Sequence, residues 1–341
     1  FPTDRMMEGG ETRRNDPIGI THVHHFYTKR SLWVLGALYD KAFKSRHKLS
    51  VFFVQYAALG FSKLSRYVPT HFSQVNQYLS GTLYIGSQQV EVSPDYILTG
   101  KLQRLVKHEA PRFGKIKVAS IGCCDSSVFP IPGESFDYIF IDPPFGANLN
   151  YSELNILWEQ WLKVWTNNKP EAIENSVQKK GLNEYRHLMT ACFREAYRVL
   201  KPGRWMTVEF SNTKASVWNS IQTALTEAGF IVANVSALDK KQGSFKAVTT
   251  PTAVKQDLVI SAYKPNGGFE DRFQKEATSE EGVWDFVRTH LKYLPVVKRG
   301  ASATHLIAVA ERDPRILYDQ MVAYYVRKGY PVPISSQEFQ T

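Results

Sequence analysis

Cysteine is scarce in this chain of 341 residues, which has three: Cys123, Cys124 and Cys192. They form neither a metal-ligand spacing nor a disulfide framework, so we predict a cytoplasmic protein in a reducing compartment. Long apolar runs are absent too. No segment is hydrophobic enough to span a membrane, so we predict no membrane partner. Three histidines lie within residues 22–25, but no nearby carboxylate or cysteine completes a ligand set, and we predict no metal site.

What the chain does contain is apolar and basic residues. A hydrophobic fraction of 43% is typical of a globular protein, and the length suits two or three modules. Lys and Arg number 42 against 32 Asp and Glu, which gives a net charge of +10. This excess favours a polyanionic partner such as a nucleic acid, although many basic proteins bind none.

The stretch Phe136–Gly146, FDYIFIDPPFG, is the most informative in the sequence. Residues 138–141 are β-branched or aromatic, and they predict a strand buried on both faces of a parallel sheet. Pro143 and Pro144 follow. Because proline lacks an N–H group and fixes φ, the chain must leave the sheet there as a stiff loop. Open α/β sheets bind their ligands at such carboxyl ends of strands.

The loop Asp142-Pro143-Pro144-Phe145 has groups suited to the exocyclic amine of a nucleobase. Such an amine is a poor nucleophile because it is conjugated to its ring. The carboxylate of Asp142 and the carbonyl of Pro143 could both accept its hydrogen bonds, favouring the pyramidal form that bears a lone pair. Phe145 offers a flat apolar face for an unstacked base. The alternative is an ordinary proline turn with a surface phenylalanine.

Asp142-Pro143-Pro144-Phe145 resembles the catalytic motif (Asp/Asn/Ser)-Pro-Pro-(Tyr/Phe/Trp) of S-adenosylmethionine-dependent methyltransferases that act on exocyclic amines. Three longer runs resemble bacterial adenine-specific DNA methylases and cover most of residues 20–265: HHFYTKRSLWVLGALYD, FDYIFIDPPFGANLNYSELNILWEQWL and LDKKQGSFKAVTTPTAVKQDLVISAYKP. Some ribosomal-RNA guanine methyltransferases also carry the four-residue motif.

The resemblance implies an enzyme that transfers a methyl group from S-adenosylmethionine to the N6 amine of a flipped adenine in DNA. The expected catalytic residues are Asp142, Pro143, Pro144 and Phe145, and Asp rather than Ser at position 142 favours adenine over cytosine-N4. Two alternatives stay open: an RNA guanine-N2 methyltransferase that uses the same loop, and a non-catalytic methyltransferase-like subunit that binds nucleic acid. DNA is therefore the expected partner, ahead of RNA.

The pattern after residue 115 predicts an α/β fold with the later strands of a Rossmann-like class I methyltransferase sheet and added helical segments. Its predicted elements are a helix at 185–200 closed by Lys-Pro-Gly, a strand at 205–210, a helix at 217–228 and strands at 230–235 and 257–263. This order resembles the end of a class I methyltransferase, where the last two strands are antiparallel. We predict four segments: an extended lead-in (1–25), a mostly helical insertion or cap (26–114), a methyltransferase catalytic half-domain (115–265) and a helical C-terminal module (266–341).

Three further residues are predicted to contact the cofactor. Asp125 follows a predicted strand at 117–121 and lies about 17 residues before the loop, where this fold often contacts the cofactor adenine. A turn-forming aspartate is the alternative. Phe26-Tyr27-Thr28 resembles the Phe/Tyr-Thr-Pro stretch that holds the methionine end in some amine methyltransferases, with Lys29 in place of the proline. The alternative is a helix that begins at Lys29 and is capped by Thr28.

Four residues are candidates for substrate contact. Tyr151 begins a predicted aromatic-rich helix at 151–164 and either walls the base pocket or belongs to the core. The loop at about 238–256 is long for a hairpin, and such loops are usually functional or disordered. We expect its lysines to contact substrate phosphates, in particular Lys240, Lys241 and Lys246.

The Gly-rich cofactor loop of the resembled family is missing from this sequence. Residues 120–124 lack its glycines, and about 17 residues before Asp142 leave no room for the two intervening βα units. In that family the loop lies on the amino-terminal side. We therefore expect the chain to be the carboxyl-terminal portion of a longer or split enzyme. An N-terminal segment or second chain would supply the first strands and half of the cofactor pocket.

Overall fold

The computed structural model describes residues 1–45, 48–109, 120–212, 214–238, 257–265, 268–299, 306–328 and 330–340. The chain divides into two compact units. The first unit comprises residues 1–123 and 147–180, and the second comprises residues 124–146 and 181–341. The predicted loop at 142–145 thus belongs to the second unit. The division into four segments stays a prediction.

The first unit is built mainly from four helices: α1 (Lys29–Lys44), α2 (Lys48–Ala58), α3 (Pro94–Glu109) and α4 (Tyr151–Leu162). Short 3-10 turns lie at Asp16–Ile18, Val23–Phe26 and Leu59–Phe61. Thr28 caps α1 as predicted, because its Oγ1 accepts a hydrogen bond from the Ser31 N–H at 3.1 Å. The predicted lead-in contributes to this unit's interior, where Met6 and Thr12 are buried.

The second unit contains a four-stranded sheet of β1 (Phe136–Ile141), β2 (Leu200–Phe210), β3 (Ile231–Leu238) and β4 (Asp257–Tyr263). The spatial order is β1-β2-β4-β3. β1 runs parallel to β2, whereas β4 is antiparallel to both β2 and β3. The predicted α/β class is therefore confirmed, as is the antiparallel pairing of the last two strands. Because β1 and β2 are parallel, their carboxyl ends meet at one edge of the sheet.

Helices complete the second unit: α5 (Leu182–Val199), α6 (Ala215–Glu227), α7 (Phe269–Glu276), α8 (Glu280–Tyr293), α9 (Pro314–Lys328) and α10 (Ser336–Gln340). A hairpin of β5 (Val297–Arg299) and β6 (Leu306–Ala308) precedes a 3-10 turn at Ala310–Arg312. Among the helices of the described residues, none has both the length and the apolar composition needed to cross a bilayer.

α5 is strongly amphipathic, and its buried face explains its place in the unit. Tyr185, Met189 and Phe193 recur every four residues, and each is at most 2% exposed. The predicted helix at 185–200 is thus confirmed within a few residues.

A hydrophobic cluster joins Tyr263 of β4 to aromatic side chains of the C-terminal helices, including Phe273, Phe286 and Tyr325.

β1 is much more exposed than the sequence suggested. Phe136, Tyr138 and Phe140 are 38%, 54% and 55% exposed, so the prediction of a strand buried on both faces is wrong. The physical reason is its position at the edge of the sheet. Within the described residues β1 pairs with β2 along one edge, and no strand pairs with its other edge. An apolar composition identified the strand but could not tell an interior strand from one at the edge.

β2 begins five residues before the predicted start at Trp205. Phe136 pairs with Leu200, and the register then shifts so that Tyr138 pairs with Trp205. The intervening residues 201–204 lie opposite Asp137, whose carboxylate accepts from the Lys201 ammonium at 3.0 Å. This hydrogen bond, together with the nearby positive charge, lowers the pKa of Asp137. Most of the strand predicted at 117–121 lies outside the described residues.

Candidate functional site

The loop Asp142–Phe145 leaves the carboxyl end of β1. The Asp142 side chain is exposed, whereas Pro143 is buried and Phe145 is half-buried. Gly146 ends the loop with a φ of 70°, a left-handed conformation that favours glycine. The chain therefore turns sharply at this loop, with Pro143 buried in the protein and the Asp142 side chain exposed to solvent.

Two carbonyl groups of the loop are held by side chains from elsewhere in the second unit. The Tyr185 hydroxyl, at the start of α5, donates to the Pro144 carbonyl at 2.7 Å. The Asn212 Nδ2 group, just after β2, donates to the Phe145 carbonyl at 2.9 Å. Both distances are those of normal hydrogen bonds.

Two other acceptors of the loop are unoccupied by protein donors. Within the part of the chain that the structure describes, the Asp142 carboxylate makes no hydrogen bond or ion pair, and the Pro143 carbonyl accepts no hydrogen bond. These are the two acceptors that the sequence analysis assigned to an amino group. The loop thus presents a carboxylate and an adjacent carbonyl, one residue apart, that are available to a ligand.

The ring of Phe145 is fixed from one side. It packs edge-to-face against Phe210, with ring centroids 5.1 Å apart and an interplanar angle of 74°. Phe210 packs in the same way against Trp218 of α6, at 5.0 Å and 86°. Since Phe145 is only half-buried, part of its ring surface remains available for stacking.

Asn212 is a site residue that sequence reasoning missed. Its Oδ1 accepts from the Lys214 N–H at 2.8 Å, and its carbonyl accepts from the Trp218 indole N–H at 2.9 Å. A signal was present, because Asn212 follows the strand next to β1 and polar residues after neighbouring parallel strands meet at one edge. Tyr185 gave no such signal, since it reads as one apolar position of an amphipathic helix.

Asp125 lies in the second unit and forms a turn. Its Oδ1 accepts from the N–H and the hydroxyl of Ser127, at 2.8 and 2.7 Å. These hydrogen bonds lower the pKa of Asp125. The turn-forming alternative describes this geometry, and the role of Asp125 in cofactor binding stays a prediction.

Phe26, Thr28 and Tyr151 belong to the first unit. Phe26 is fully buried, so its side chain has no free surface. The Thr28 hydroxyl donates to Glu91 at 2.6 Å, and Glu91 also pairs with Arg30 at 2.9 Å. Tyr151 is 37% exposed at the first residue of α4. Their site roles stay predictions, and Lys240, Lys241 and Lys246 lie outside the described residues.

The three histidines form a compact group in the first unit. The rings of His24 and His25 have centroids 4.3 Å apart, and burial together with the neighbouring imidazoles lowers the pKa of His25. The Nδ1 atom of His24 lies 2.8 Å from the Pro2 carbonyl oxygen. Among the described residues, no group of three or more His, Cys, Asp or Glu side chains is arranged to hold a metal ion.

The family of the chain follows from a comparison with known proteins. The DNA methylase family (N6_N4_Mtase) matches residues 136–306, half of the chain, and the match begins at the first residue of β1. The chain belongs to the DNA methylase family. The matched segment of this methylase contains the loop at 142–145, Tyr185 and Asn212. A search of curated proteins found no match.

Solved structures similar to this chain include the [4+2]-cyclase SpnF, at 13% identity and a TM-score of 0.27 over 52% of this chain and 66% of that protein. Another is TTHA0409 of Thermus thermophilus, provisionally described as a DNA modification methylase, at 15% identity and a TM-score of 0.26 over 42% and 53%. The chain thus spans about half to two thirds of the length of these proteins.

Proposed function

We propose that this DNA methylase transfers a methyl group to the N6 amine of an adenine flipped out of DNA. The observation that carries the proposal is the pair of open acceptors, the Asp142 carboxylate and the Pro143 carbonyl, on a loop whose next two carbonyls are already occupied. An exocyclic amine has two hydrogens to donate. One acceptor can take each of them.

Hydrogen bonds from the amine to these two acceptors would make its nitrogen a better nucleophile. Hydrogen bonds to both N–H groups draw the nitrogen towards the pyramidal form, whose lone pair is free to attack. Positive charge then develops on the nitrogen, and the neighbouring Asp142 carboxylate stabilises it. No strong general base is needed, because the alkylated nitrogen is positively charged and readily loses one of its two protons to water. The partly exposed Phe145 would stack on the base through its ring.

Adenine is preferred over other bases because the motif begins with Asp142 rather than serine, which in the resembled enzymes favours adenine over cytosine-N4. DNA as the partner is supported by the family and by the net charge of +10. Lys240, Lys241 and Lys246 are proposed to contact its phosphates, and Tyr151 to wall the base pocket. An RNA guanine-N2 methyltransferase remains the second candidate.

S-adenosylmethionine is the proposed methyl donor, and it would supply an electrophilic methyl group. The described residues do not make up a complete site for it. Phe26 is buried, the Thr28 hydroxyl is engaged with Glu91, and Asp125 is tied into a turn by Ser127. We therefore propose that the described residues serve the amine side of the reaction and that other residues complete the donor side.

We further propose that an N-terminal segment or a second chain completes the donor side by pairing with β1. Within the described residues β1 has one free edge, and the aromatic rings of Tyr138 and Phe140 are more than half exposed. Native proteins usually cover or interrupt such an edge. A strand added there would lie beside the loop, in position to bring a Gly-rich turn to its open acceptors.

The first test is substitution of Asp142 in the full-length protein. Asp142→Ala removes the carboxylate acceptor, and we expect methyl transfer to fall by a factor of about 100 to 1,000 with little change in far-ultraviolet circular dichroism. Tritiated S-adenosylmethionine would be offered with unmethylated genomic DNA and with ribosomal RNA, and the products digested to nucleosides. N6-methyladenine from DNA is the expected product.

Asp137→Ala is the matched control, because Asp137 is an exposed acid on the strand that leads into the loop, and its partners are Lys201 and Arg204. We expect it to retain transfer. Full activity in Asp142→Ala would contradict the proposed function. Label found only in ribosomal-RNA guanine would favour the second candidate, and absence of label with retained DNA binding would favour a non-catalytic subunit.

A further inference from the structure

The Asp-Pro-Pro-Phe loop cannot fix its own shape by local hydrogen bonds. Pro143 and Pro144 have no N–H group, so the two residues that follow Asp142 cannot donate to a turn. Their rings fix φ, and Pro144 also restricts ψ of Pro143, but neither ring restrains ψ of Pro144. A loop of this composition needs donors from outside to hold its carbonyl groups, and in this structure Tyr185 and Asn212 provide them.

We propose that Tyr185 and Asn212 form a two-point clamp that sets the reactive conformation of the loop, and that both are positioning residues of the methylase. The inference rests on the proposed function, since it assigns a role at the same site. Holding the carbonyls of Pro144 and Phe145 restrains ψ at these two residues, where the proline rings do not act. The Asp142 carboxylate and the Pro143 carbonyl are then the acceptors left to the amine.

The Tyr185 half of the clamp is itself rigid. Tyr185 is 0% exposed on the buried face of α5. The first turn of that helix is capped, because the Glu184 carboxylate accepts from the Gly181 N–H at 2.9 Å. Hydrogen bonds from the N–H groups of Glu184 itself and of Gly181 lower the pKa of Glu184, which keeps the capping group ionised. The hydroxyl thus reaches the loop from a fixed helix end.

The Asn212 half of the clamp is part of a set of linked contacts that begins and ends at Phe145. The Lys214 N–H donates to Oδ1 of Asn212, so the amide must present Nδ2 to the Phe145 carbonyl. The Trp218 indole holds the Asn212 carbonyl, and its ring packs on Phe210, which packs on Phe145. Both the carbonyl and the ring of Phe145 are therefore anchored through the same short segment after β2.

Each of the two hydrogen-bond donors of the clamp can be removed by a conservative substitution. Asn212→Asp keeps an oxygen for the Lys214 N–H but replaces Nδ2 with an oxygen, which repels the Phe145 carbonyl. Tyr185→Phe removes only the hydroxyl. The matched control is Tyr263→Phe, because Tyr263 is equally buried in the same unit and its hydroxyl contacts His290 at 3.0 Å rather than the loop.

The experiment measures the loop and the reaction separately in the full-length protein. Amide hydrogen exchange of the peptide spanning residues 142–149 reports on Phe145 and Gly146, the first amides after the prolines. We expect about tenfold faster exchange in Tyr185→Phe and in Asn212→Asp, with β2 unchanged. Single-turnover methyl transfer to unmethylated genomic DNA should slow about tenfold or more in both variants, with KM for DNA unchanged.

Tyr263→Phe separates positioning from general stability. It should lower the unfolding temperature while leaving loop exchange and the methyl-transfer rate as in the unsubstituted protein. If Tyr185→Phe and Asn212→Asp exchange and react like the unsubstituted protein, or if Tyr263→Phe slows transfer equally, the clamp is wrong and the proposed function stands. If the unsubstituted protein transfers no methyl group, the proposed function fails, and the exchange data still decide whether the clamp holds the loop.

Discussion

His290 shows at the scale of a single residue how burial sets a protonation state. Its side chain is fully buried in α8, where it stacks on Phe286 and shares a hydrogen bond with the Tyr263 hydroxyl. Its Nε2 atom has no partner among the described residues. Burial therefore lowers the pKa of His290 from 6.5 to about 4, and the imidazole is neutral at pH 7.

This shift predicts a specific acid sensitivity. Between pH 6.5 and 4 the unfolded protein takes up a proton on His290 that the folded protein refuses, so the free energy of unfolding falls as the pH drops through this window. The expected loss is ~3 kcal/mol by about pH 4. Urea unfolding at several pH values would compare the protein with His290→Asn, which keeps an acceptor for Tyr263 but does not titrate. Equal pH slopes for both proteins would refute the assignment.

Gly9 makes a second prediction at this scale. A Cβ atom there would lie 2.2 Å from the carboxylate carbon of Glu153, which is fully buried and accepts from the N–H groups of Glu11 and Thr12 at 2.7 and 3.1 Å. Gly9→Ala must displace that carboxylate, at an expected cost of ~3 kcal/mol in unfolding free energy.

Gly10→Ala is the control for this prediction, because its nearest neighbour, Asn150 Nδ2, would be 3.9 Å from the new Cβ. Thermal unfolding followed by near-ultraviolet circular dichroism would compare the two variants. A Gly9→Ala protein as stable as Gly10→Ala would show that the backbone does not approach Glu153 so closely.

At the scale of helices and strands, the spacing of apolar residues along the chain determined which elements the sequence could predict. The fourfold spacing of Tyr185, Met189 and Phe193 identified α5, and the apolar and aromatic run at 138–141 identified β1. The N-cap at Thr28 was predicted from one side chain and one position. Such local signals need no knowledge of the partners of an element.

The sequence could not show which segments lie next to one another in the folded protein. The exposure of β1 depends on sheet order, and the clamp depends on Tyr185 and Asn212 meeting residues 41 and 67 positions earlier in the chain. Asp142 and Pro143 could be proposed as acceptors from the sequence because both lie within one short motif. Residues that hold the motif come from distant segments, and a single sequence gives no contact information about them.

For the whole molecule, the proposed second half of the site makes a direct prediction. A longer protein that includes the sequence encoded immediately upstream should bind S-adenosylmethionine, whereas the present chain alone should bind it weakly or not at all. Isothermal titration calorimetry with the cofactor would measure both.

The same pair of proteins allows a check that does not use the cofactor. Amide exchange at 136–141 should slow in the longer protein if an added strand pairs with β1. Tight cofactor binding by the chain alone, or unchanged exchange in β1, would overturn the proposal that another segment completes the pocket.

The bare side of β1 also bears on how the isolated chain behaves in solution. Within the part of the chain that the structure describes, Tyr138 and Phe140 present aromatic rings beside a strand edge with no backbone partner, and such an edge is a template for self-association. Expressed alone, the polypeptide should therefore lose solubility as its concentration rises, and its yield should improve when the proposed N-terminal segment or second chain is produced with it.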